Sequence, residues 1–370
     1  MSPPPRSPPE SPSVRGDFLL IACQGGAEAA VRLRQAAVLP RVRPAAWRRG
    51  LVSFRLEEGF DPPDDFFPDL VFARAVIRCL GQVTGGSPAA LAGAAIELAG
   101  PASPISSWQN VHVWARDSRA ELPLAELRAA VLAGCRLPAT TPVVAAAGDL
   151  VLDCVVDSPD RWWVGWHRVG CPASGWPGGL FPGELPADKV SRAWLKLDEA
   201  IASFAIPLEP GERAVELGAA PGGSCQRLLE AGLSVVGIDP AVIADSVAAH
   251  PNFTHWRMRS RDVRLRAYRG FDWVVADMNI DPTSTMESLE RVVTAPLCRP
   301  RGIIATLKLP EWSRAAAVDD WLAAFRGWGF APVARQLSTG GREICVVALR
   351  GGAGRRVTRT RRPSRRRPAG

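Results

Sequence analysis

The stretch ERAVELGAAPGGSCQRLLEAGLSVVGID, residues 212–239, decides the fold. Its first apolar run, 212–218, predicts a strand; the glycines predict a turn, 222–231 a helix, and 234–239 a second strand. Strand, glycine turn, helix and strand within about 30 residues make a parallel β–α–β unit. Downstream, strands at 253–258, 271–278 and 302–309 alternate with helices at 285–297 and 313–328, and strands near 331–338 and 342–349 close the pattern. A helix over 191–203 precedes it. The alternation predicts a doubly wound, mostly parallel α/β sheet, which binds ligands at the carboxyl ends of its strands.

The turn GAAPGG at 218–223 suits close approach to a ligand. Gly218, Gly222 and Gly223 carry no Cβ, and the helix start behind them offers unpaired N–H groups to an anion. The spacing is not the dinucleotide G-x-G-x-x-G, and Pro221 removes an amide that a pyrophosphate would use. Carboxylates follow successive strands. Asp239 suits the paired hydroxyls of a ribose, Asp262 an adenine amino group, and Asp277 ends the fourth strand beside the same crevice. The ordered set points to S-adenosylmethionine. A dinucleotide is the rival ligand, and a plain tight turn with solvated carboxylates is the bland alternative.

Upstream the pattern is less regular. Segments 17–24, 51–57, 110–117 and 149–157 predict strands, and 27–37, 68–81 and 122–134 predict helices. The 68–81 helix rests on an apolar face at Leu70, Ala73, Val76 and Ile77. This order fits α+β units with antiparallel sheets over 17–160. Residues 161–190, rich in Trp, Gly and Pro, read as a connector that opens with a strand, and 191–350 as the α/β domain. Residues 1–16, with six prolines, read as a disordered leader, and 351–370 as a disordered arginine-rich tail.

That tail decides the meaning of the net charge. Its eight arginines and no acid account for the whole +8 of the 370-residue chain, so charge alone says nothing about the folded part. No uncharged apolar run reaches membrane-spanning length and no signal peptide is visible, which predicts a soluble, cytoplasmic protein without a membrane partner. The eight cysteines form no C-x-x-C pair and the four histidines show no ligand spacing, which predicts reduced, mostly buried thiols and no metal.

Among 45 basic residues only Lys189, Lys196 and Lys308 are lysine. Where generic positive charge is met by arginine, a retained lysine marks a position that needs what arginine cannot do, namely lose a proton. Lys308 ends the fifth strand next to Asp277 at the end of the fourth, so the topology makes them neighbours. Lys189 reads as a solvated side chain.

Here a resemblance becomes specific. The segments PADKVSRAWLKLDEA, ELGAAPGG, VVADM, LKLP and GREICVV, within 160–350, resemble the Rossmann-type ribose 2′-O-methyltransferases of the FtsJ class. Within it they are similar to the bacterial M-type family that methylates a cytidine ribose in large-subunit ribosomal RNA. The resemblance implies a catalytic tetrad of Lys196, Asp277, Lys308 and Glu343. It implies cofactor contacts at Ser191, the Ala220, Pro221, Gly222 and Gly223 loop, Asp239, Asp262 and Asp277. The family usually has Asp where this chain has Glu216. FLLIACQGG and LVFARAV match more faintly a region that is ferredoxin-like and THUMP-like, an RNA-recognition half.

The chemistry asks for such residues. A ribose hydroxyl must lose its proton while attacking an already activated methyl, so the enzyme supplies alignment and a base. Lys308, partly desolvated and beside the Lys196 cation, is expected to have a lowered pKa and to be that base, with Asp277 and Glu343 holding both ammonium groups. Arginine-rich stretches at 31–55 and 257–269 are candidates to track phosphates, and Trp162, Trp163 and Trp166 to stack on bases. Two rivals stand beside this function: an inactive RNA-binding or ribosome-assembly protein, and a base N-methyltransferase. DMNIDP at 277–282 lacks the Asn/Asp-Pro-Pro-aromatic turn usual in the latter.

Overall fold

The computed structural model describes residues 16–100, 108–117 and 119–351. The leader and the tail, Gly16 and Gly351 apart, lie outside the described residues. The described residues form two seven-stranded sheets.

The first sheet is built from β1 (Phe18–Cys23), α1 (Glu28–Val38), β2 (Val42–Arg48), β3 (Leu51–Leu56), β4 (Ala73–Thr84), α2 (Pro88–Ala99), β5 (Asn110–Ala115), α3 (Leu124–Gly134), β6 (Leu150–Ser158) and β7 (Arg161–Arg168). Its strand order is β2-β3-β1-β4-β7-β6-β5. All neighbours are antiparallel except β5 and β6. The strand at the head of the Trp-rich connector, β7, is thus a central member of this sheet.

The helix expected over 68–81 is a strand. β4 lies between β1 and β7, and Ala75 to Cys79 are buried without interruption. A strand covered on both faces has no two-residue alternation to reveal it. The helical spacing of Leu70, Ala73, Val76 and Ile77 arose because Leu70 packs into the core from the turn before the strand. The three tryptophans considered for base stacking sit on β7, with Trp162 and Trp166 0% and 3% exposed, so two of the three are core residues.

The second sheet contains α4 (Arg192–Phe204), β8 (Arg213–Leu217), α5 (Gly223–Glu230), β9 (Ser234–Ile238), α6 (Asp245–Ala248), β10 (Phe253–Trp256), β11 (Trp273–Ala276), α7 (Pro282–Val293), β12 (Gly302–Lys308), α8 (Val318–Gly327), β13 (Phe330–Arg335) and β14 (Glu343–Arg350). The order is β10-β9-β8-β11-β12-β14-β13. The first five run parallel, and β14 enters antiparallel between β12 and β13. Strand order reverses between β8 and β11, which places the ligand crevice outside their carboxyl ends.

The two sheets share one core cluster that runs from Leu19, Ile21 and Val31 to Val215, Ile303 and Phe325. Arg34, buried, pairs with Asp319 across the junction. Phe72 meets Trp312 edge-on at 6.2 Å, and the Gln336 amide donates to the Val71 carbonyl at 2.7 Å. Among the described residues no helix is long and apolar enough to cross a membrane.

Candidate active site

At the switch point the glycine turn closes over the strand ends. Gly218 sits at φ +80°, where a Cβ would stand 2.7 Å from Met278 Cγ and 3.1 Å from the Asp277 carbonyl oxygen. Only glycine leaves that approach open. Gly222, at φ +116°, opens α5, and a Cβ on Gly223 would lie 2.2 Å from Ser191 Oγ. Ser191 caps α4 by accepting from the Ala193 amide at 3.3 Å, and the Pro221 carbonyl accepts from the Ala244 amide at 3.0 Å. The turn therefore locks two helix starts together.

A cavity of about 700 Å³ opens from this turn, lined by Gly218, Ala220, Asp239, Asp277, Arg259 and Arg261 among others. Asp239 Oδ2 accepts from the Ala220 amide at 3.2 Å and its Oδ1 from the Ala241 amide at 2.8 Å, which fixes the carboxylate at the end of β9. Asp262 follows Arg261 in the turn after β10, with its side chain 59% exposed and 3.9 Å from Arg261 Nε. It stands beside the cavity rather than walled into it. Glycines without a Cβ at the strand ends, a cavity of ligand size and a carboxylate anchored by two amides fit S-adenosylmethionine.

The four tetrad residues come together as a closed ring. Lys308 Nζ donates to Asp277 Oδ1 at 3.0 Å and to Glu343 Oε2 at 2.6 Å. Lys196 Nζ pairs with Asp277 Oδ2 and lies 3.2 Å from Glu343 Oε1. Each carboxylate bridges both ammonium groups, so the ring is neutral. Its side chains are only 11–21% exposed. Backbone register builds three of its corners. β11 and β12 run side by side, and Lys308 is the direct partner of Glu343 in the antiparallel β12–β14 ladder. Helix α4 supplies Lys196 from above.

Electrostatics correct one expectation. Burial pulls the Lys308 ammonium downward, but Asp277 and Glu343 outweigh it and hold its pKa above the ordinary lysine value of 10.5. The second cation considered in the sequence is neutralised by the same two acids. Asp277 shows the counterpart: burial raises its pKa, and the two lysines overcome that and keep it below the usual carboxylate value.

Under the turn, Glu216 on β8 is 2% exposed and accepts from Cys225 Sγ at 2.8 Å. Burial drives its pKa up to about 8; the Cys225 hydrogen bond opposes that, and the Asp277 charge adds to it. Glu216 is thus a neutral acid below the site at pH 7. Lys189 is not solvated. It pairs with Asp188 and Glu230, lies over the Trp194 ring at 5.4 Å and is 13% exposed.

Sequence reasoning missed Glu199, one helical turn after Lys196 on α4 and 2% exposed. Its two carboxylate oxygens accept from the Ser338 and Thr339 amides, each at 2.7 Å, and tie down the loop that leads into Glu343. The i, i+3 spacing with Lys196 was visible, but the loop it grips lies about 140 residues away.

A glycine-walled crevice beside a Lys–Asp–Lys–Glu ring defines an S-adenosylmethionine-dependent methyltransferase, and residues 189–311 match the FtsJ-like methyltransferase family. Over 292 residues the chain is 34% identical to ribosomal RNA large subunit methyltransferase M of Halorhodospira halophila, covering 76% of this chain and 81% of the relative. The protein of the same name from Thauera aminoaromatica is 36% identical over 166 residues, 42% of this chain and 44% of its own. The solved structure of TrmN from Thermus thermophilus aligns with 90% of this chain and 99% of its own, at 16% identity and a TM-score of 0.36. The chain belongs to the ribosomal RNA large subunit methyltransferase M family.

Proposed function

We propose that the protein methylates a ribose 2′-hydroxyl of large-subunit ribosomal RNA in the cytoplasm, the target being a cytidine as the family resemblance implies. The observation that carries the chemistry is the closed ring of Lys196, Asp277, Lys308 and Glu343 beside a glycine-walled cavity. S-Adenosylmethionine supplies an activated methyl group when bound. Asp239 suits its ribose hydroxyls, Gly218 and Ala220 the backbone approach, and Asp277 borders both cavity and ring. Residues 17–160 serve RNA recognition.

The chain's own part in the reaction is to align the hydroxyl and take its proton. Lys308 in its neutral form is the base, and Lys196 orients the hydroxyl. Asp277 and Glu343, each shared between the two nitrogens, hold them in register and set how rarely the neutral form occurs. Arginine at 308 would keep the ion pairs but not accept the proton. Low exposure around the ring excludes bulk water, which strengthens every charge interaction inside it.

Mapping ribose methylations on ribosomal RNA by mass spectrometry, with and without the gene, tests the assignment. One 2′-O-methyl in the large-subunit RNA should vanish in the deletion and return with the natural chain. A full set of methyls in the deletion overturns the substrate.

A further inference from the structure

In the first-sheet region a small cavity of about 150 Å³ has walls that include four arginines: Arg49, Arg74, Arg116 and Arg119. At roughly 30 Å³ per water it has room for about five waters, enough for one tetrahedral anion. Only Arg49 comes from the arginine-rich stretch at 31–55; Arg34 of that stretch is buried in the junction and engaged by Asp319.

The four guanidinium groups outnumber the acids that touch them. Asp117 pairs with Arg119 at 2.8 Å and lies 3.8 Å from Arg49, while Asp157 takes Arg116. Asp117 and Asp157 thus touch three of the four cations, and Arg74 feels Glu199 through its charge alone. Arg74 donates Nη2 to the Cys23 carbonyl at 2.6 Å, and its Nε is buried with no hydrogen-bond partner among the described residues. A buried, unpaired guanidinium N–H is costly unless an acceptor reaches it. The cradle also depends on absent side chains. A Cβ on Gly25 would stand 2.9 Å from Arg49 Nε, and one on Gly50, at φ +82°, 2.8 Å from the Arg116 carbonyl oxygen.

The cavity's position links it to the chemistry. Gln24 in its wall accepts from Gln336 Nε2, which also donates to the Gly341 carbonyl at 3.1 Å, two residues before Glu343. A Cβ on Gly26, which follows the wall residue Gly25 in the chain, would lie 3.1 Å from Trp312 Nε1, four residues past Lys308. Through Gln24 the wall of the cavity therefore touches the segment that leads into Glu343.

We propose that this pocket binds a backbone phosphate of the substrate RNA. The proposal rests on RNA being the substrate. Planar guanidinium forks match phosphate oxygens, and such contacts fix register without reading sequence.

The test compares the full chain with R49A/R119A, whose side chains are 52% and 69% exposed and leave the core untouched. Fluorescence anisotropy on a labelled large-subunit RNA fragment is run across a potassium chloride series, with cofactor affinity as the check on folding. The expected result is RNA binding weaker by about tenfold and a salt slope shallower by about one, with cofactor affinity kept. R49K/R119K should recover the slope but not the full affinity, and it decides the matter if the alanine variant folds poorly. Wild-type affinity and slope in both variants overturn the proposal. So does thermal stabilisation by inorganic phosphate that is lost in R49A/R119A while RNA binding is unchanged, for the site then holds free phosphate. Absence of methyl transfer by the natural chain would sink the enzymatic function instead, while the slope comparison still reads the pocket.

Discussion

Replacing Lys308 by arginine separates the two tasks of the ring, holding charge and moving a proton. Asp277 and Glu343 sit 3.0 and 2.6 Å from Lys308 Nζ and keep its pKa above 10.5. At pH 7.5 even that ordinary value leaves at most about one lysine in a thousand neutral. If the neutral form is the base, the rate at saturating substrate rises about tenfold per pH unit from 7.5 to 9.5. Arginine keeps both ion pairs and never loses its proton, so K308R should bind cofactor normally while turnover falls by roughly 10³. The assay is transfer of a radiolabelled methyl to ribosomal RNA across that pH range, with calorimetry for cofactor binding. A flat profile, or K308R turning over within about tenfold of the natural enzyme, would refute the assignment of Lys308 as base.

Glu216 predicts a stability effect of opposite sense. An acid whose folded pKa is raised to about 8 keeps its proton in the native state after the unfolded chain has lost its own near 4.5. Stability therefore falls as pH rises between those values, by about 3 kcal/mol at pH 7, and E216Q should remove the slope in urea unfolding; parallel curves would disprove it. G223A should lower both stability and cofactor affinity, since its Cβ falls 2.2 Å from Ser191 Oγ and 2.9 Å from the Trp194 amide. Overpacking of this kind costs about 1–3 kcal/mol, and an unchanged melting temperature would show that α4 yields freely. E199Q keeps the shape but weakens the grip on Ser338 and Thr339, so turnover should drop with cofactor affinity retained. Deleting residues 351–370 removes eight arginines and should make RNA binding less salt-sensitive, read as a shallower slope of affinity against salt.

The second sheet was legible because each of its strands is short, apolar and followed by a turn. From that order alone Asp277 and Lys308 had to be neighbours. Glu343 could be placed only through the register of an antiparallel strand inserted into a parallel sheet, and Lys196 only through the packing of α4 on α5, which no spacing encodes. The first sheet was harder. β4 is buried on both faces, so its sequence lacks alternation and imitates a helix. The sign of the Lys308 shift was misjudged for a related reason. Asp277 and Glu343 were expected to hold both ammonium groups, but desolvation and the Lys196 cation were weighed above them, and at 3.0 and 2.6 Å from Lys308 Nζ the two acids prevail.

The antiparallel entry of β14 also orders events in time. Lys196, Asp277 and Lys308 are synthesised well before Glu343, yet the ring lacks a corner until the last strand slides between β12 and β13. A nascent or truncated chain ending before that strand leaves β13 without its ladder partner and Lys308 without one of its two carboxylates. Chemical competence is thus a late event in this molecule's own biogenesis. The strand that completes the fold is also the one that arms it.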